Sequence, residues 1–305
     1  MDRRKFISHS LSGVLVGATM QFPFSAFAND PDLITVTILH TNDVHSRIDP
    51  FPMDGGRNEG LAGVAKRATI IEQFRKDNKN VLLFDSGDIF QGTPYYNMFG
   101  GELEIKLMSQ MKYDAGTMGN HDFDGGIDGF KKQMVHADFP FIVSNYDFSD
   151  TILDGAIEKY KIFKLDGVKI GVLGVGIELA GLVPQKLYKK TRYLDPIDEA
   201  QKAATYLSQE KGCDYVICLS HLGFKYRNER ISDVKLARMT NNIDLILGGH
   251  THTFMKQPEL VNNKDGKSVT INQCGYGGIL LGHIKIVFEK NRKGHCVTCK
   301  NALVN

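Results

Sequence analysis

Five apolar runs punctuate the chain, at 33–40, 81–84, 114–118, 214–220 and 243–247, each of strand length. Between them the period changes. Leu61, Val64, Ala68, Ile71 and Phe74 recur at three- and four-residue steps, which predicts a helix with one buried face over 61–74. Further helices are predicted over 98–111, 127–135 and 197–207. This alternation means mostly parallel strands covered by helices on both sides. Tyr160–Leu165 and Val168–Val175 are separated by Asp166-Gly167, a pair that supplies the positive φ angles of a type I′ turn, so they are read as a hairpin. The last third turns strand-rich, with 268–273 and 279–288 expected as antiparallel neighbours.

The loops after the five runs are more informative than the runs themselves. They carry Asp43-x-His45, Gly87-Asp88, Gly119-Asn120-His121, His221 and Gly249-His250-Thr251-His252. Open α/β sheets bind ligands at the carboxyl ends of their strands, so these distant residues can converge there. A carboxylate oxygen beside imidazole nitrogens suits Zn²⁺, Mn²⁺ or Fe rather than Ca²⁺. Taken singly, Asp43 and His45 could be a helix cap and a surface imidazole, and Asp88 an ordinary turn residue. Five such fragments in this order point to a two-metal site.

The order also carries a family resemblance. Leu39-His40-Thr41-Asn42-Asp43-Val44-His45-Ser46, Gly87-Asp88, Met118-Gly119-Asn120-His121-Asp122-Phe123-Asp124, Ser220-His221-Leu222-Gly223 and Gly248-Gly249-His250-Thr251-His252 resemble the calcineurin-like metallophosphoesterases, in particular their 5′-nucleotidase branch. The match runs from about Ile34 to about Glu289, with one departure at Asp122, where the branch usually has Glu. The resemblance implies a four-layer α-β-β-α sandwich, two mixed sheets face to face with helices outside. It implies one divalent cation on Asp43, His45, Asp88 and His252, and a second on Asp88, Asn120, His221 and His250, the metals being Zn, Mn, Fe or Co. His121 then corresponds to the family's catalytic histidine, oriented by Asp124. Hydrolysis of a nucleotide-type phosphoester by in-line attack of a metal-bridging hydroxide is the implied reaction.

Other motifs fall away. Gly174-Val175-Gly176 ends a hairpin strand with no helix opening behind it, so it fails as a dinucleotide loop. Tyr95-Tyr96 reads as packing, and His40 as a structural histidine at a strand end. His136, His283 and His295 read as surface or strand-flank residues.

The amino terminus changes the picture of where the chain works. Asp2-Arg3-Arg4-Lys5-Phe6, an apolar stretch over 11–20 and Ala26-Phe27-Ala28 read as an export signal over 1–28, by the twin-arginine or the ordinary Sec route. A periplasmic or extracellular protein is expected. A short lead (29–33), a catalytic domain (34–290) and a polar tail (291–305) would complete the chain. The signal carries the whole formal charge of +2, so the mature chain is near neutral and gives no electrostatic ground for binding nucleic acid or anionic lipid. No later segment is long and apolar enough to span a bilayer.

Five cysteines is an odd number for an exported chain. Cys213 and Cys218 lie about 16 Å apart along one strand, too far to bridge. Cys296-x-x-Cys299 is expected as a disulfide or as two idle thiols.

By the same resemblance, 5′-nucleotidases carry a second, C-terminal domain that grips the substrate. The chain is therefore expected either to act alone on small phosphoesters or to pair with a separately encoded specificity domain. The readings set beside it are a thiosulfohydrolase-like dimanganese enzyme and a catalytically idle metal-binding partner subunit.

Overall fold

Strand alternation sorts the side chains of this chain into three apolar layers rather than one. The structure, a computed structural model, describes residues 32–290 and 295–305; the expected export signal and residues 29–31 lie outside them. The first third comprises β1 (Leu33–Thr41), α1 (Val64–Asp77), β2 (Val81–Asp85), α2 (Pro94–Phe99), α3 (Glu102–Gln110) and β3 (Ala115–Gly116). Next come α4 (Gly126–Gln133), β4 (Tyr146–Asp147), β5 (Tyr160–Leu165), β6 (Val168–Val175), α5 (Gln185–Tyr188), β7 (Arg192–Tyr193) and α6 (Pro196–Thr205). The chain finishes with β8 (Tyr215–Ser220), α7 (Asp233–Met239), β9 (Leu245–Leu247), β10 (Glu259–Asn262), β11 (Ser268–Asn272), β12 (Leu280–Glu289) and β13 (His295–Leu303).

One sheet has the order β13-β12-β1-β2-β3 and the other β10-β11-β9-β8-β6-β5, with β4 and β7 as a separate pair. Ile38, Leu82, Phe84 and Ile286 of the first sheet share a buried cluster with Ile170, Ile217, Leu219 and Leu247 of the second. The alternate residues face outward. Leu39, Leu83 and Leu281 pack with Ile71, Ile105, Met108 and Phe130 from α1, α3 and α4. Val216, Cys218 and Ile246 pack with Ala200, Ala204, Leu236 and Ala237 from α6 and α7. The expected four-layer α-β-β-α sandwich is therefore present.

The second sheet is parallel at its centre and antiparallel at both edges, and the first is antiparallel on one side only. β1–β2–β3 and β6–β8–β9–β11 run parallel, while β12, β13, β5 and β10 pair antiparallel with their neighbours. Asp166 (φ 49°) and Gly167 (φ 95°) turn the predicted hairpin.

Several expectations need correction. The run at 268–273 does not pair with 279–288: β11 lies in the second sheet beside β9 and β10, and β12 in the first between β1 and β13. Pattern alone marks a strand's faces, not its sheet. The helix expected over 98–111 is two helices, because Gly100 (φ 60°) and Gly101 (φ 95°) break it. A Cβ at Gly101 would meet the Phe90 ring at 2.5 Å, so the break lets the two segments close on Phe90. Leu61 precedes α1, which begins after Gly63 (φ 97°). The polar tail is largely a strand: β13 pairs along β12, Asn301 lies level with Gly282 and, across it, with His40, and buried Val304 exchanges backbone hydrogen bonds with Ala62 and Ile279. Cys213, Cys218, Cys274 and Cys299 are all free thiols, so the expected disulfide alternative at Cys299 is not realised.

The amino ends of three parallel strands share one device. Asp114 accepts from the Leu83 N–H, Asp214 from the Lys169 N–H and Asp244 from the Val216 N–H, each at 2.8 Å. Each Asp lies just before its own strand and closes the ladder of the neighbouring one. Burial pushes the carboxyls of Asp114 and Asp244 up to about 6. The opposite, carboxyl ends of β1, β2, β8 and β9 lead into the ligand-bearing loops. Among the described residues no helix is long and apolar enough to cross a membrane.

Candidate metal centre

The loops after the strands hold their ligand-type residues in a backbone conformation that side chains resist. Asp43 (φ 50°), His45 (φ 50°), Asp88 (φ 57°), His250 (φ 68°) and His252 (φ 51°) are all left-handed. Asp and His tolerate this region better than most residues, yet each such position costs on the order of 1–3 kcal/mol. Neighbouring loops enforce it. The N–H groups of Asp43, His45 and Ser46 donate to the carbonyls of Gly87 (2.9 Å), Asp88 (3.0 Å) and Ile89 (2.9 Å). Asp122 accepts four backbone N–H groups, from Asp88, Gly119, Ile89 and Phe90, at 2.8–3.2 Å. One buried carboxylate thus pins both the Gly87-Asp88 and the Gly119-Asn120 loops. Gln273 does the same for the last loop, donating to the Gly249 carbonyl at 2.6 Å and accepting from the Thr253 N–H at 2.8 Å.

Close approach is possible because glycines line the floor. A Cβ on Gly119 would lie 2.2 Å from Asp88 Oδ1, and one on Gly87 2.9 Å from His221 Nδ1. In the space so left, ligand atoms of Asp43, His45, Asp88 and His252 all lie within 4.8 Å of one another, as do those of Asp88, His221 and His250. Asp88 belongs to both groups. Asn120 Oδ1 is 2.9 Å from His250 Nδ1, which brings it to the second group. His45 Nε2 and His252 Nε2 stand 3.0 Å apart, two nitrogens facing one point.

His221 carries the clearest sign of a missing positive centre. Its Nδ1 donates to the Ser86 carbonyl at 2.7 Å, which fixes the tautomer and leaves Nε2 as the free donor atom. That Nε2 is buried without a hydrogen-bond partner, 3.1 Å from Asp88 Oδ2. Burial opposes a charge on His221, but Asp88 and Asp43 outweigh it and raise the imidazole to about 10. Burial likewise works against the Asp88 carboxylate, while His221 and His45 hold it below the usual range. Buried carboxylates with aligned imidazoles and an unpartnered nitrogen fit divalent metals well.

His121 sits at the edge of this group. Its N–H donates to Asp88 Oδ1 at 2.8 Å and its Nδ1 lies 2.9 Å from Asp124 Oδ2. The Asp124 hydrogen bond raises its pKa against the opposing effect of burial. The ring is 37% exposed, so unlike His221 it can reach a bound molecule. His40, by contrast, is buried, receives a hydrogen bond from Asn272 at 2.8 Å and is lowered by burial to about 3, as expected of a structural histidine.

All nine residues singled out from the sequence thus gather at one rim. Sequence reasoning missed the residues that hold them: Asp122 appeared only as a departure, while Gln273 and Asn42 were not singled out. Asn42 donates to Asp43 Oδ2 at 2.6 Å and accepts from the Cys274 N–H at 2.8 Å. A polar residue close to a ligand could have marked Asp122 and Asn42, whereas Gln273 lies far from any ligand in sequence.

The family model of the calcineurin-like phosphoesterases matches residues 36–254. Over 275 residues the chain is 34% identical to a snake venom 5′-nucleotidase of Crotalus adamanteus, covering 83% of this chain and 45% of that protein. A snake venom 5′-nucleotidase of Naja atra is 33% identical over 279 residues, covering 85% of this chain and 51% of the other. Among solved structures, a 5′-nucleotidase precursor from Thermus thermophilus superposes with a TM-score of 0.80 at 29% identity, covering 88% of this chain and 54% of that one. The chain spans about half the length of the curated relatives it matches.

Proposed function

The chain belongs to the calcineurin-like phosphoesterases, a family with a dinuclear divalent metal centre, and on that premise we propose that it hydrolyses nucleotide-type phosphate esters. The observation that carries this reading is the sharing of Asp88 between two ligand groups, with the exposed His121–Asp124 pair beside them. Asp43, His45, Asp88 and His252 hold one cation; Asp88, Asn120, His221 and His250 hold the other. Two bound cations supply charge stabilisation for the phosphoryl oxygens and acidify a water so that it can attack at neutral pH.

The chain's own side chains do the rest. His121, kept cationic by Asp124, donates a hydrogen bond to the phosphoryl group or the departing oxygen, where negative charge grows. The Ser86 carbonyl keeps His221 in the tautomer that offers Nε2. Asp122 and Gln273 keep the loops from relaxing out of register. We further propose export, on the strength of the amino-terminal signal pattern and of relatives that include venom enzymes. Substrate recognition is proposed to be completed by a second domain of the kind that the longer relatives have room for.

Phosphate release from AMP, UDP-glucose and a 2′,3′-cyclic nucleotide tests the reading, with Mn²⁺ or Zn²⁺, with EDTA, and with His121→Ala. Turnover is expected to need metal and to fall by about 10²–10⁴ in His121→Ala while both cations stay bound. Absence of turnover with both sites filled would overturn it for the chain alone and direct attention to thiosulfonate substrates or to an added domain.

A further inference from the structure

Cys274-Gly275-Tyr276-Gly277-Gly278 comes one residue after β11, and its three glycines all have positive φ, 71°, 64° and 66°. Tyr276 is the one large side chain on this tight turn, and the turn is tied to the metal loop. The Gly277 N–H donates to the Asp43 carbonyl at 2.7 Å, and Asn42 Nδ2 donates to the Gly275 carbonyl at 2.7 Å. The Tyr276 ring stacks on His252, centroids 5.2 Å apart and planes 24° from parallel. Phe254 and Phe51 approach Tyr276 edge-on at 5.6 Å and 6.2 Å. Both depend on glycine, because a Cβ at Gly275 would meet the Phe254 ring at 2.4 Å and one at Gly277 the Phe51 ring at 3.0 Å. Arg47 holds its guanidinium 4.1 Å over Phe51.

These rings do not belong to any of the three apolar layers. Phe254 is 43% exposed and the His252 side chain 40% exposed, so the wall opens to solvent beside a metal ligand. Three aromatic rings and a cation at such a rim match a planar heteroaromatic group, which offers a π-face to rings and guanidinium alike. We propose that Tyr276, Phe254 and Phe51, with Arg47, form a specificity wall beside the metal ligands that receives the ring of the alcohol half of the phosphoester. The inference rests on the phosphoesterase reading and adds which substrates the rim prefers before any further domain takes part.

The test compares AMP with ribose 5-phosphate, the same ester without its ring, in the metal-loaded wild type and in Phe254→Ala, Tyr276→Ala and Tyr276→Phe. The wild type is expected to favour AMP. Phe254→Ala should lower kcat/KM for AMP about tenfold, through KM, and leave ribose 5-phosphate unchanged, while Tyr276→Ala, whose ring also rests on His252, should lose the preference for AMP over ribose 5-phosphate. Tyr276→Phe should keep the preference, since its ring remains. Phe254 is exposed, so its variant separates a lost contact from a disturbed fold. If AMP and ribose 5-phosphate fall together, or neither changes, the wall has no part in recognition. If the loaded wild type hydrolyses neither ester, the phosphoesterase reading fails and this inference with it.

Discussion

The two ends of the parallel strands use aspartate in opposite ways. At the amino ends, Asp114, Asp214 and Asp244 each accept a backbone N–H and complete a neighbouring ladder. At the carboxyl ends, Asp43 and Asp88 are crowded against histidines on left-handed backbone. The first arrangement pairs backbone donors that would otherwise go unpartnered. The second holds five ligand-type residues on strained backbone, as expected where function fixes a conformation that folding alone would avoid. Substitution at one end should cost stability, and at the other activity.

Asp88→Asn tests this contrast most severely. Loss of the shared carboxylate should cut turnover on the order of 10³-fold and lower metal content, read by phosphate release and elemental analysis. Comparable activity would remove Asp88 from its shared role. At the other end, Asp244→Ala leaves the Val216 N–H unpaired and should cost about 2 kcal/mol in urea unfolding with the same kcat in the folded protein. A smaller effect of opposite sign is expected for His252→Gly, where relief of the left-handed backbone should stabilise the metal-free chain by about 1 kcal/mol as metal affinity falls. Equal or lower stability would mean that His252 is not strained.

A further effect lies in pH. Asp114 and Asp244 hold their protons more tightly folded than unfolded, about 6 against 3.8. The folded state therefore binds more protons between these values, and stability falls as pH rises through that window. Urea midpoints of the metal-free wild type should decline relative to an Asp114→Asn, Asp244→Asn double variant from about pH 4 to about pH 6, then run parallel. Curves parallel throughout would show the carboxyls unperturbed.

Legibility in the sequence divided along the same line. Strand cores were readable because alternation and apolar runs are local, and the ligands because each comes directly after such a run. The hairpin was readable from Asp166-Gly167 alone. Sheet membership of β11 and β12 was not, since both carry alternating faces and only long-range pairing separates them. Gly100-Gly101 sat inside a helical pattern, and the need to pass Phe90 is visible only in three dimensions. Left-handed backbone at Asp43, His45, Asp88, His250 and His252 has no sequence signal, because glycine, the usual mark, is absent from those positions. Asp122 looked like a neutral replacement, whereas its four backbone partners make it the pin of two loops.

The direction of β13 has a practical corollary. Leu33 lies beside Glu289 at the far end of the sheet, whereas Leu303 lies beside Leu280 and Val304 is bonded to Ala62, just past the metal loop of β1. A fusion joined after Asn305 therefore begins its path at the active rim, and a polyhistidine tag placed there would offer stray imidazoles to the cations. The same tag ahead of Leu33 would start a sheet's length away.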